Sequence, residues 1–404
     1  MNYILFDRNR QQLLPFTHTR AVADIRCGIV TMRERWEKLL NTNTFTLTEH
    51  HLQALYPTPA TDEPCLYINA SFFATHHLLS AVKSLKDGEK LVHNNEIIAA
   101  ATYPYTVLHE FEANLDLLKP IDYKDDNHYC LRHVWDIFSL NERAIKDDFI
   151  TLSTGHKSEA IPAHVVVIGK ENLFIEAGAA IGAGTIINAT TGPVYIGKDA
   201  EILEGTLIRG PLAVCEHAAI KMGAKIYGAT TIGPGCKVGG EINNTVFFAN
   251  SNKGHDGYLG NAVIGEWCNL GADTNASNLK NNYDEVKIWD EHSNRSVKTG
   301  LTFVGLIMGD HSKCGINTMF NTGTVVGVSC NIYGGDFPAK FVPSFSWGGS
   351  NDMTTYDFTR AMETANRMMG RRNKNLSENE TKMYRHIFDY TAKQRNLFLG
   401  EDKN

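Results

Sequence analysis

The sequence predicts an α/β domain, then a parallel β-helix of hexapeptide repeats, then terminal helices. Three observations predict it. Stepping six residues at a time from Ile196 meets Ile196, Ile202, Ile208, Val214, Ile220, Ile226, Ile232 and Val238, all β-branched aliphatics. Chance gives such a run roughly once in ten million, so the period reports architecture. Residues 1–138 instead alternate short apolar runs with segments of helical period. After Gly348-Gly349 the texture changes to amphipathic stretches.

A period of six is neither that of a helix nor that of a simple strand. Six residues make one short flat side and a corner, and three sides close a triangular coil. The aliphatic residue points to the prism axis. Small residues suit the corners, where the backbone turns sharply. The lattice also occupies Ile175, Ile181 and Ile187, then Ile264, Leu270 and Ala276, then Met308, Cys314, Phe320, Val326 and Ile332. Each change of frame predicts an insertion, near 188–195, 239–263 and 277–307, and insertions in repeat folds gather on a binding face.

In the first domain, Tyr3–Phe6 and Cys65–Asn69 are expected as strands, and Lys90–Val92 with Ile97–Ala99 as a hairpin. Helices are expected over Gly28–Leu40 and Phe73–Leu85, with a connecting helix over Val134–Ile145. An open, partly parallel sheet follows from the alternation. The boundaries are a 1–138 α/β domain, a 139–162 connecting helix and linker, a 163–347 β-helix and 348–404 C-terminal helices. The last segment holds helices over Thr354–Met369 and Glu378–Phe398, with the basic run Gly370–Lys374 as a solvated corner.

The formal net charge of −6 argues against a dedicated nucleic-acid binder. No apolar run is long enough to span a bilayer. Charges within Met1–Arg10 leave no signal-peptide core, so a cytoplasmic protein without membrane partners is expected. The eight cysteines form no CxxC pair and are expected as buried, reduced thiols. The only HxxxxH spacing, His128 and His133, lies outside the repeat, against a metal-dependent β-helix hydratase.

The chemistry concentrates in Asn250–Gly265 and Asn269–Asn278. The stretch Lys253-Gly254-His255-Asp256-Gly257-Tyr258-Leu259-Gly260-Asn261 precedes Asn269-Leu270-Gly271-Ala272. It resembles the acetyltransferase half of the bifunctional N-acetylglucosamine-1-phosphate uridylyltransferase/glucosamine-1-phosphate acetyltransferase family, which carries K-x-G-H-x-x-Y-x-G-D-x-x-I-G before N-[IL]-G-A-G-T. The whole chain resembles still more the Bacteroidetes-type variant of that family, which has a shortened N-terminal domain. The resemblance implies a left-handed β-helix, a homotrimer and acetyl-CoA as co-substrate.

Carried over by position, His255 is the general base. A sugar amine attacks a thioester only when neutral, and an imidazole titrates near the pH where the proton must leave. Tyr258 and Asn269 match sugar-phosphate contacts, and Asn278 a residue near the acetyl group and amine. Asn243 stands where the family has a phosphate-contacting lysine, and Asn261 where it has aspartate. Lys221, Lys225, Lys253 and Arg209 are the cations available to replace that lysine. Lys340 falls where the family binds coenzyme A phosphates.

The family's nucleotidyltransferase domain opens with a glycine-rich phosphate loop. Here Leu5–Pro15 contains no glycine. Asn69 takes the place of an aspartate that binds Mg²⁺, and Arg8, Arg10, Arg20 and Arg26 are the cations available for nucleotide phosphates. The first reading is therefore an enzyme of sugar-nucleotide biosynthesis for the cell envelope. It acetylates a hexosamine 1-phosphate and transfers a nucleotidyl group from UTP or another nucleoside triphosphate, with Mg²⁺. The alternatives are an enzyme with one of those activities and the other domain degenerate, or a non-catalytic trimeric scaffold.

Overall fold

The computed structural model describes residues 1–125 and 128–400. The first domain is a six-stranded mixed sheet of β1 (Tyr3–Phe6), β2 (Phe45–Leu47), β3 (Cys65–Asn69), β4 (Glu89–His93), β5 (Glu96–Thr102) and β6 (Lys119–Asp122), in the order β2-β1-β3-β5-β4-β6. β1 runs parallel to β2 and β3, and β5 antiparallel to β3 and β4. Asn94 and Asn95 turn the β4–β5 hairpin at φ 47° and 65°, the geometry in which asparagine is favoured. The helix expected from Gly28 begins at Met32, where Thr31 and Glu34 form a reciprocal capping box. The one expected from Phe73 covers His76–Lys83 behind its Thr75 cap. The connecting segment is two helices, Asp136–Ser139 and Asn141–Ser153.

A parallel β-helix follows. Its strands stack into three sheets of eight, nine and ten strands. The nine-stranded face is covered. Its outward residues Ala213, Thr231, Val246, Val263, Ile307 and Val325 are all buried. Val246, Val263, Ile307 and Val325 share one apolar cluster with Leu5, Ile68, Phe72 and Phe138 of the first domain. Burying both surfaces in one core stabilises the two parts jointly. The ten-stranded face carries outward asparagines, and the eight-stranded face is open.

All eight lattice residues from Ile196 to Val238 are buried. The insertion expected over 239–263 is corrected: this stretch is coil. Its interior column continues through Ile242, Phe247, Lys253 and Leu259, each fully buried. The frame shifts because corners shorten, above all Gly239-Gly240, which joins Lys237–Val238 directly to Glu241–Asn243. The 277–307 insertion is genuine and forms an arm, a hairpin of Lys287–Asp290 with Arg295–Lys298. Val286 and Ile288 of the arm join the shared core.

The C-terminal helices are Phe358–Gly370, Glu378–Tyr390 and Ala392–Leu399. The second expected helix is split at Thr391, whose hydroxyl bonds the Ile387 carbonyl at 2.7 Å. The basic corner is not purely solvated, because Arg372 and Lys374 lie over the Trp267 ring at 5.5 and 5.9 Å. The expected final segment includes 401–404, which lie outside the described residues. All eight cysteines are buried and free. Among the described residues no helix is long and apolar enough to cross a membrane.

Asp7, at the end of β1, is fully buried and accepts from the Val22 amide at 2.8 Å and the Thr48 hydroxyl at 2.6 Å. Burial pushes its pKa up to about 6 against the pull of Arg10. The folded state therefore holds this proton where the unfolded chain has released it. The contribution is complete below about pH 4 and is lost as pH rises through about 6. Asp7→Asn is expected to flatten unfolding free energy across that window and to match or exceed wild type at neutral pH, by urea denaturation at a series of pH values.

Candidate functional site

The site is built at one edge of the prism, where the asparagine face meets the open face. Asn252–Lys253 ends the strand on the first face and Tyr258–Gly260 begins the strand on the second. The corner between them is Gly254-His255-Asp256-Gly257, with His255 exposed. The preceding coil turns the same edge through Gly239-Gly240, leaving a step beneath the histidine. That step needs glycine. A Cβ on Gly240, at φ +77°, would stand 2.7 Å from the Gly257 carbonyl oxygen and 2.9 Å from that of His255.

On the open face, Tyr258 pairs in register with Glu241 below it, and Gly260 with Asn243. Asn278, at the root of the arm, donates through Nδ2 to the Tyr258 hydroxyl at 3.1 Å and to Asn261 Oδ1 at 2.8 Å. Gly260 leaves room for this arrangement, since a Cβ there would stand 2.3 Å from the Tyr258 hydroxyl oxygen. Asn243, Tyr258 and Asn278 thus lie together on one face. Asn269 lies around the corner on the other, where its Oδ1 accepts from Asn252 Nδ2 at 2.9 Å. His255 stands between the two groups.

Lys253 was expected to contact substrate. It points inward instead, into the prism, and its ammonium donates to the carbonyls of His255, Asp256 and Gly257. Among the other candidate cations, Lys221 runs along the recess, its Cβ 3.0 Å from the Cβ position of Gly239 and its Cε 3.9 Å from that of Gly254. Lys225 is exposed on the open face, in register with Glu241. Arg209 lies one coil before Lys225 on the same sheet.

Lys340 sits on the rim of a cavity of about 420 Å³ between the arm, the last coils and the final helix. Trp289 and Phe341 stack there with ring centroids 5.2 Å apart, and Leu397, Phe398 and Lys287 complete the lining.

The nucleotide-binding expectations meet a different geometry. Asn69 is fully buried; its Nδ2 donates to the Ile97 carbonyl and its Oδ1 accepts from the Ser71 amide and hydroxyl. Neither atom is available to a cation. Arg20 is buried against Glu266 and Asp310 of the β-helix. Arg26 is buried on the Ile29 carbonyl. These three are internal ties, which corrects their expected role. Arg10 bonds the Thr17 carbonyl, and Arg8 lies 3.8 Å from Glu112. Among the described residues no cluster of three or more His, Cys, Asp or Glu side chains is arranged to hold a metal ion.

Sequence reasoning missed Asn252, the Gly239-Gly240 step and the aromatic cavity. The glycine pair was a readable signal for the step. Nothing local marks Trp289 and Phe341 as partners.

The fold is of the class that joins an α/β domain to a parallel β-helix. Residues 3–157 match the family model of sugar nucleotidyl transferases. The chain is also similar to bifunctional proteins. It is 30% identical over 146 residues, 36% of each chain, to a bifunctional sugar-1-phosphate nucleotidylyltransferase/acetyltransferase of Sulfurisphaera tokodaii. It is 25% identical over 229 residues, 52% of this chain and 46% of the relative, to the bifunctional protein GlmU of Synechococcus elongatus. The chain thus spans less than half the length of these two relatives. Among solved structures, LpxA, a UDP-N-acetylglucosamine acyltransferase from Bacteroides fragilis, aligns over 56% of this chain and 96% of its own, at 13% identity and a TM-score of 0.27.

Proposed function

We propose that this chain transfers an acetyl group from acetyl-CoA to the amine of a hexosamine 1-phosphate, with His255 as general base. The observation that carries the reading is the exposed His255 corner, set between the Tyr258–Asn278 pair and the Asn252–Asn269 pair. The imidazole takes a proton from the sugar ammonium. The neutral amine attacks the thioester carbon, a C–N bond forms and the C–S bond breaks; of the two protons the nitrogen loses, one leaves with the coenzyme A thiol and the other passes to solvent. Tyr258, Asn278, Asn243 and Asn269 orient the sugar phosphate. Lys221, lying along the step below the corner, is the cation for its phosphate. The Trp289–Phe341 cavity, with Lys340 and Lys287 on its rim, receives the phosphorylated end of coenzyme A.

The chain works as a homotrimer. Val166, Ile186 and Leu207 support this, forming one exposed row in register on the open face. Exposed aliphatic rows mark association surfaces. A monomer by light scattering at micromolar concentration would contradict the trimer. The absence of disulfides among the eight buried cysteines supports a cytoplasmic setting, in sugar-nucleotide synthesis for the cell envelope.

A second reading, nucleotidyl transfer from UTP, is favoured by the family match over residues 3–157. The residues present do not fit the Mg²⁺ that this chemistry uses, because both polar atoms of Asn69 are consumed internally. One experiment separates the readings. Glucosamine 1-phosphate and acetyl-CoA are supplied and free thiol followed; UTP and Mg²⁺ are then added and pyrophosphate followed. Thiol release alone is the expected result. Pyrophosphate without thiol would reverse the assignment, and silence with a range of sugar phosphates leaves the scaffold.

A further inference from the structure

We infer that Lys253 is a positioning residue for His255, acting from inside the prism by tying together the backbone of the corner that presents the imidazole. This rests on the acetyl-transfer reading above. Lys253 occupies an interior lattice position whose neighbours along the column are Val238 and Leu270. It is fully buried, the one charged residue among the largest fully buried side chains. An aliphatic side chain would satisfy the lattice, so the ammonium serves something else. Its acceptors identify what. The three N–H protons meet the carbonyls of His255, Asp256 and Gly257 at 3.1, 3.1 and 2.9 Å. Three donors on one nitrogen match three consecutive acceptors.

The geometry is that of an internal staple. Three successive corner carbonyls turn inward onto one cation, which fixes the peptide planes that follow His255. Burial lowers the Lys253 pKa to about 8, so the third donor is present at neutral pH and is lost as pH rises further. The lysine never reaches the outer surface and touches no substrate. Its effect is on where the imidazole points, and a displacement of about 1 Å at a reacting group costs on the order of 100-fold in rate.

The test compares full-length wild type with Lys253→Met, Lys253→Leu and His255→Gln, following thiol release from acetyl-CoA with glucosamine 1-phosphate. Both Lys253 variants are expected to fold, since Val238 and Leu270 show the column accepts aliphatics. Their KM values are expected to stay within about twofold of wild type while kcat falls about 100-fold. A residue that only supported the fold would lower melting temperature and leave kcat per folded molecule unchanged. A wild-type kcat in the Lys253 variants, with His255→Gln inactive, overturns the inference alone. So does failure of both Lys253 variants to fold, because Lys253 would then be a residue of the fold. Full activity in His255→Gln, or none in wild type, overturns the acetyl-transfer reading and this inference with it.

Discussion

His255→Gln is expected to slow acetyl transfer by about 10²–10⁴-fold while leaving the chain folded. Glutamine is close to histidine in size and both donates and accepts hydrogen bonds, so it preserves shape and polarity at an exposed corner. Surface substitutions of this kind change stability by about 0.5 kcal/mol or less. Glutamine has no proton-accepting group near neutral pH, and that is the property removed. Two features should accompany the loss. KM for both substrates should change little, because the sugar and coenzyme contacts are assigned to other residues. The deficit should shrink as pH approaches the pKa of the sugar amine, since a substrate that loses its proton to solvent no longer needs the base. Rates followed by thiol release across pH check both. A variant within about twofold of wild type at neutral pH would remove His255 from the mechanism.

Asp310→Ala is expected to cost about 3–5 kcal/mol of unfolding free energy, the range for leaving a buried charge without its partner. Asp310 lies at a β-helix corner and is buried. One carboxylate oxygen accepts from the Thr19 hydroxyl at 2.6 Å and pairs with Arg20; the other accepts from the Glu266 amide at 2.8 Å. Arg20 also bonds Glu266 at 2.8 Å and lies over the Phe248 ring at 5.0 Å. Removing the carboxylate leaves the Glu266 amide unsatisfied, leaves the Thr19 hydroxyl only the longer bond to the Phe16 carbonyl at 3.2 Å, and leaves the Arg20 charge held by one partly exposed glutamate. Replacing Arg20 by Met in the same chain should recover part of the loss, because an uncharged pair no longer carries the desolvation cost. Denaturant unfolding of the two single variants and the double variant measures this. A loss below about 1 kcal/mol would mean that the domain contact rests on apolar packing alone.

The architecture was legible because interior positions of a β-helix recur strictly while the chain keeps its six-residue sides. Ile196 to Val238 is that regime, and each residue lies where the period puts it. The period failed between Gly239 and Val263, since a two-residue corner changes the count without leaving the coil. A lysine on the interior column deepened the failure, because no pattern of apolar residues anticipates an ammonium there. The polar pairs were less legible. Asn278 and Tyr258 are twenty residues apart and meet because one coil stacks on the next. Arg20 and Arg26 looked like phosphate ligands because a sequence shows charge and not partner; their carboxylate and carbonyl partners emerge only when the first domain closes on the covered face. Asn69 was placed on its strand correctly, but its role depended on Ile97 and Ser71, which local pattern does not supply.

The most direct test of the acetyl-transfer account is a crystal structure of the full chain with coenzyme A and glucosamine 1-phosphate bound together. The account predicts the sugar amine within about 3 Å of an imidazole nitrogen of His255, or one water away, with the sugar phosphate toward Lys221 and the coenzyme toward Lys340. Both ligands bound in order at another part of the molecule, with the Gly254–Gly257 corner empty, would contradict it.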